Sequence, residues 1–256
     1  MTSIPLMYAQ EDCELGGKDD IEVMICFIQK LVTSLMVINN VMNADKEIRL
    51  AFVRKVYGLL SVQLLATFTI AAVFLLVRPI QAFIHENDWM MMISFILSMV
   101  TLFALIAKRK DHPANLYLLA AFTGVQAYTI GVVVSYFDTA VVLQALGITF
   151  SVVLTLTLYT LNTKRDFSFV GYGLVAGLMV LIIGGFVQLF LQSSAFEIAL
   201  SFTGAIFFSL FLVFDTQQMM NTLSPEEYIL ATINLYMDIL NLFLYILRIL
   251  NELNRN

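Results

Sequence analysis

Charge is scarce in this chain of 256 residues, with Asp, Glu, Lys and Arg making up 13% of it and apolar residues 60%. Soluble domains carry about 25% charged and roughly 45–50% apolar residues, so one or two water-soluble domains are excluded and a polytopic membrane protein is indicated. The mean hydropathy of +0.86 agrees. Cysteine occurs only as Cys13 and Cys26, which argues against a disulfide scaffold and a Cys-based metal centre. A basic excess is missing too. The net charge of -5 arises in the first 47 residues, where eight acids face three bases, and the remaining eleven acids and eleven bases cancel. No basic surface is left to follow a phosphate backbone, so no nucleic-acid partner is expected. The two histidines, His85 and His112, fall in loops without a partner at metal-ligand spacing, and both read as solvated.

What the chain does have is apolar runs. A membrane helix needs about 20 largely apolar residues to cross roughly 30 Å of hydrocarbon. Seven such runs follow one another, at about 56–77, 89–107, 116–136, 140–161, 169–191, 196–214 and 228–250. Arg78-Pro79 and Asp111-His112-Pro113 break the pattern, residues 162–166 are polar, and Ser224-Pro225-Glu226 reads as an N-cap followed by a first-turn Pro and acid. The fold class expected is an all-α membrane protein, a seven-transmembrane-helix bundle over residues 48–256. It follows an acidic tail, residues 1–47, that lacks the basic start and small-residue cleavage site of a signal peptide and is expected to be retained. Within the tail, Ile21, Met24, Ile25, Ile28, Leu31, Val32 and Leu35 recur at helical spacing, which predicts an amphipathic interfacial helix. An eighth span there would have to immerse Glu22 and Lys30, each costing up to ~3 kcal/mol near mid-bilayer.

Bases at the span ends alternate. Lys46, Arg49, Arg54 and Lys55 precede the first span, Lys108, Arg109 and Lys110 follow the second, and Lys164 and Arg165 follow the fourth. The opposite side has only Arg78 through six spans, so the amino terminus is expected in the cytosol. Arg248 and Arg255 fit this poorly and leave a re-entrant last segment as an alternative to a full span, although its length favours crossing. Trp89 reads as an interfacial anchor, and the bases themselves are expected to contact membrane lipid.

Charged groups within hydrocarbon need pairing, hydration or neutralisation. Asp215 ends the sixth run, and Asp238 lies near the middle of the seventh. At 1.5 Å per residue their depths differ by about two turns, a gap that helix tilt or an early start to the seventh span would close. Two carboxylates in contact would share a proton, and losing it would restore repulsion, which makes a proton-sensitive latch or, more plainly, a hydrogen-bonded brace. The seventh span also carries a polar stripe at three-, four- and seven-residue steps: Glu227, Asn234, Asp238, Asn241, Tyr245, Arg248 and Glu252. Such a stripe belongs inside a bundle, as a hydrogen-bonding seam or along an ion path. Carboxylate and amide oxygens suit a hard cation such as Ca²⁺. Asp215, Asp238 and the two Asn fall short of the six to eight oxygens it wants, so the site would be weak and passable, with calcium as the permeant ion and no resident cofactor. Lys108, Arg109 and Lys110 read as orientation signals, and Arg109 is a candidate partner for Asp215.

Phe214-Asp-Thr-Gln217, Ser224-Pro-Glu-Glu-Tyr228 and Asn234-Leu-Tyr-Met-Asp-Ile-Leu-Asn-Leu-Phe243 resemble the transmembrane Bax inhibitor motif family. Arg49-Leu-Ala-Phe-Val-Arg-Lys-Val-Tyr57, His112-Pro-Ala-Asn-Leu-Tyr-Leu-Leu119 and Tyr159-Thr-Leu-Asn-Thr-Lys-Arg-Asp-Phe-Ser168 are similar to its lifeguard branch, and the resemblance covers about residues 48–256. It implies a bundle with the last helix central, a calcium leak from Golgi or endoplasmic reticulum stores, and suppression of apoptosis through lower store content. It also implies a pH-sensing pair at Asp215 and Asp238, a latch partner at Arg109 or Lys108, and a conduction residue at Glu226. Gln126 stands where some relatives carry Glu, and residues 18–45 resemble nothing in the family.

Two other classes compete. A non-conducting adaptor would bind Bcl-2-family proteins or the inositol trisphosphate receptor through its tail and loops. An intramembrane aspartyl protease would also need two acids on adjacent helices. Asp238, however, follows Leu235-Tyr236-Met237 rather than the Gly-x-Gly that such proteases resemble one another in, so no enzyme is expected.

Overall fold

The computed structural model describes residues 46–255 apart from 88, 164, 166 and 192. The amphipathic segment expected near residues 21–38 lies outside the described residues, as do Cys13 and Cys26.

The helices are α1 (Lys46–Leu76), α2 (Arg78–Glu86), α3 (Trp89–Ala107), α4 (Ala114–Val134), α5 (Thr139–Asn162), α6 (Gly171–Leu191), α7 (Ser194–Asn221) and α8 (Tyr228–Arg255), with 3₁₀ turns at Ser168–Val170 and Pro225–Glu227. No strand occurs among the described residues. Seven of the helices, all but α2, are long and apolar enough to cross a membrane, and they coincide with the seven runs. The chain is thus an all-α membrane bundle.

Two boundaries differ from the sequence expectation. Arg78-Pro79 ends one helix and starts another. Val77 is extended, and Pro79 lies in the first turn of α2, where its missing N–H leaves no intrahelical bond unmade. The sixth run, expected to stop at 214, continues as α7 to Asn221 because Asp215, Thr216, Gln217 and Gln218 keep the helix although they lower its hydropathy. The Ser224 hydroxyl accepts the Glu226 N–H at 3.3 Å, so the cap expected ahead of the last helix is present. α8 then runs unbroken for 28 residues. That is about 42 Å, more than the hydrocarbon requires, and gives no support to a re-entrant turn.

α8 is the axis of the bundle. Two thirds (67%) of its most apolar window is buried, against 50% for α4 and at most 28% for the others, and it packs against α1, α4, α5 and α7. Tyr236, Phe243, Leu235, Leu242 and Leu247 have almost no exposed surface. The outer helices turn large apolar side chains outward, such as Leu65, Phe103, Phe150 and Phe190. Lipid tails are as apolar as leucine, so this arrangement costs nothing in a bilayer, and association relies on close packing and internal hydrogen bonds. Gly204 illustrates the first. An added Cβ there would lie 2.5 Å from the Tyr245 ring, so only glycine lets α7 approach α8 at this point.

Candidate functional site

The two membrane acids meet. Asp215 projects from α7 and Asp238 from α8, with their carboxyl groups within hydrogen-bonding reach of one another. Helix ends explain how. Asp215 lies six residues before the end of α7, and Asp238 ten residues after the start of α8. The rises of ~9 Å and ~15 Å differ by about one turn instead of the two estimated with an end at 214. Asp238 is 5% exposed, and its Oδ2 is buried without a hydrogen-bond partner. Carboxylates carry acceptors only, so their contact is completed by a proton on one of them or by a cation between them. Among the described residues, no group of three or more His, Cys, Asp or Glu gathers here or elsewhere. Two carboxylates then leave most of a Ca²⁺ shell to water and neutral oxygens.

Asn234 and Asn241 flank Asp238 by one turn on either side, which places the expected ion-path residues on one stripe of α8. Asn241 spends its amide on its own helix, donating Nδ2 to the Met237 carbonyl at 2.8 Å. Further along, the stripe becomes packing, because Tyr245 stacks on Phe208 at 5.7 Å between centroids and Arg248 approaches the same ring at 5.8 Å. On the flank of α8 facing α1 and α4 lies a second polar seam. Thr67 and Tyr236 share a hydrogen bond of 2.7 Å, Gln63 Nε2 donates to Thr123 Oγ1 at 2.8 Å, and Gln126 Nε2 donates to the Met237 sulfur at 3.2 Å. Gln63, Thr123 and Thr67 escaped the sequence reading, although a glutamine inside an apolar run was the available signal.

The base-rich end is clamped around the first turn of α8. Arg109 Nη2 is 3.2 Å from Glu227 Oε1, and Lys110 Nζ is 3.9 Å from the same oxygen. Asn115 donates Nδ2 to the Tyr228 hydroxyl and to the Arg109 carbonyl, each at 3.0 Å, and Lys55 Nζ sits 3.3 Å from the centroid of the Tyr228 ring. Arg109 therefore takes Glu227, and not Asp215, as its partner here. It lies beyond the end of α3, level with the start of α8, whereas Asp215 is more than a turn inside α7. Lys108 pairs with Asp111 at 2.9 Å, and that hydrogen bond raises the lysine above its ordinary value of 10.5. Glu226, singled out from its motif, is exposed, and the neighbouring Glu227 is the buried acid.

At the other end, His85 is not simply solvated. Its ring stacks on Tyr136 at 4.2 Å and its Nε2 lies 3.1 Å from Ser135 Oγ, while Gln81 Nε2 donates to the Ser135 carbonyl at 2.7 Å. α2 positions both side chains against the end of α4. His112 is exposed, as expected, and so is Trp89 at the start of α3.

Comparison with known proteins agrees with this architecture. Residues 49–256 match the family model described as inhibitor of apoptosis-promoting Bax1. Protein lifeguard 4 of Mus musculus is 45% identical over 215 residues, spanning 84% of this chain and 90% of that protein. The Golgi anti-apoptotic protein of Vaccinia virus (strain Lister) is 44% identical over 217 residues, 85% of this chain and 92% of the viral protein. Bax inhibitor 1 of Schizosaccharomyces pombe is 35% identical over 82% of this chain and 80% of its own length. With the family match extending over the whole described bundle and identities of this size, the chain belongs to the Bax inhibitor family and groups with its lifeguard members.

Proposed function

We propose that this chain is a pH-sensitive calcium leak channel of Golgi and endoplasmic reticulum membranes, oriented with its amino terminus in the cytosol, that lowers store calcium and so suppresses apoptosis. The observation that carries the reading is the buried Asp215–Asp238 contact with Asp238 Oδ2 unpartnered. An arrangement of acceptors alone is completed by a proton or by a cation, and the two compete for it. With a proton shared, α7 and α8 are held together. When it leaves, repulsion favours their separation, and a divalent ion can be met by two carboxylates, the oxygens of Asn234 and Asn241, and water. Acidification then weakens calcium occupancy, since a protonated carboxyl is a poorer ligand. Names of relatives supply the cellular part of the reading, the viral one being called a Golgi anti-apoptotic protein.

The test is calcium efflux from liposomes loaded with Ca²⁺ and carrying the purified full chain. Flux in the parent protein that is lost in both Asp215→Asn and Asp238→Asn is the expected result, whereas unaltered flux in both variants overturns the site. An inert parent protein overturns conduction and favours an adaptor that acts by binding Bcl-2-family proteins or the inositol trisphosphate receptor.

A further inference from the structure

One residue along α7 from Asp215 begins a group of hydroxyls that neither packing nor the conduction reading uses. Tyr57 of α1 directs its hydroxyl at Thr216 of α7 and Thr157 of α5. It closes no direct hydrogen bond to either, since Tyr57 Oη and Thr216 Oγ1 are both buried without a partner and Thr216 has no exposed surface. Depth is common to α5 and α7. Thr216 and Thr157 each lie five residues before the end of their helix, so both are ~8 Å inside the base-rich end. Thr216 is also the residue next to Asp215 on the side toward that end. The following residue, Gln217, accepts the Phe167 N–H at 2.6 Å and donates to the Arg165 carbonyl, which ties the connection after α5 across the end of α7.

A hydroxyl left unpaired inside hydrocarbon costs a few kcal/mol, and lipid offers nothing to relieve it. Buried waters typically make about three hydrogen bonds to groups of this kind. Hydroxyls that face one another without touching can be joined by a bridging water, which is enthalpically nearly as good as a direct hydrogen bond.

We infer that Tyr57, Thr157 and Thr216 hold a buried water site, which hydrates the Asp215–Asp238 pair from the base-rich end. Tyr57 and Thr216 are positioning residues for that water. The water site stands on its own geometry, and its part in permeation rests on the reading of the acid pair given above. An ion leaving the pair toward the base-rich end exchanges a carboxylate for this water at the first step, which spares it a bare apolar passage.

Two measurements on the full chain in lipid nanodiscs and liposomes test this. In radiolytic labelling with ¹⁸O water, Tyr57 is expected to incorporate label, while Tyr236, which is fully buried and satisfied by Thr67 at 2.7 Å, stays unlabelled. Thr216→Val should then reduce labelling of Tyr57. An unlabelled Tyr57 in the parent protein overturns the water site whether or not the protein conducts. For permeation, Tyr57→Phe should lower calcium flux about fivefold, equivalent to about 1 kcal/mol at 1.4 kcal/mol per tenfold. Its melting temperature should stay level or rise, because a phenyl ring keeps the packing and removes the orphan hydroxyl. A labelled Tyr57 with unchanged flux in Tyr57→Phe overturns the hydrating role and leaves the channel reading untouched.

Discussion

Arg109→Ala should destabilise the protein more than Glu227→Gln, although both variants break the same ion pair. At 3.2 Å and an effective dielectric constant of about 20, the attraction between the two groups is about 5 kcal/mol before solvation is counted. Most of this is offset by stripping water from Glu227, whose side chain is only 8% exposed, while Arg109 keeps 30% of its surface. The costs of removal are therefore unequal. In Glu227→Gln, a partly exposed guanidinium turns back to water, at a net loss of about 1 kcal/mol. In Arg109→Ala, a buried carboxylate is left with Lys110 alone at 3.9 Å, a loss of about 2–3 kcal/mol. At roughly 2–4 °C per kcal/mol for a chain of this size, the two melting temperatures should fall by about 3 °C and about 8 °C. The double variant should be more stable than Arg109→Ala, because a neutral glutamine has no use for a cation. Thermal unfolding of all four proteins in one detergent closes the cycle. Costs that simply add, or a Glu227→Gln variant as unstable as Arg109→Ala, would refute the assignment of Glu227 as the buried member of the clamp.

Further substitutions probe other joints. Gly204→Ala sets a Cβ 2.5 Å from the Tyr245 ring and should cost about 1–3 kcal/mol of thermal stability, whereas Gly147→Ala, with nothing within 4 Å, should be neutral or gain up to about 1 kcal/mol from helix propensity. His85→Ala removes the stacking on Tyr136 and the contact with Ser135, about 1–2 kcal/mol, and His85→Phe should recover the stacking share. The folded-state pKa of Lys108 is raised by Asp111, so its contribution is complete below the ordinary value of 10.5 and fades as pH rises through the higher folded value. Lys108→Ala should thus differ from the parent by the same small margin at neutral and mildly alkaline pH and converge with it only in strong alkali, as alkaline unfolding curves would reveal.

The bundle was legible because crossing a membrane makes a demand that composition alone can meet, namely some twenty apolar residues per helix, and each of the seven runs meets it. The central place of α8 was legible from its stripe of polar residues, which only the interior of a bundle can accept. α2 was not. Nine residues are too few to register as a span, and Arg78-Pro79 reads as an ending because proline says the same thing at the close of one helix as at the opening of the next. The position of His85 follows from that helix, so reading the stretch as a loop also left the stacking on Tyr136 out of view.

For the site, a residue's face on its helix was easier to infer than its partner, and the difference comes from helix ends. Hydropathy falls at Asp215, so an apolar criterion closes the helix there, yet backbone hydrogen bonds do not depend on hydropathy and α7 continues to Asn221. Those residues reset the depth of Asp215 by about one turn and bring it to Asp238, while Arg109, beyond its own helix end, is left beside the first turn of α8. One misplaced boundary accounts for both the excessive distance expected between the acids and the mistaken partner for the arginine. The hydroxyls of Tyr57, Thr157 and Thr216 lay further out of reach. They come from α1, α5 and α7, and a threonine or tyrosine in a membrane helix normally satisfies itself on the preceding turn or at an interface. Their meaning appears only when three helices are packed together, and pattern along a single chain carries no record of that packing.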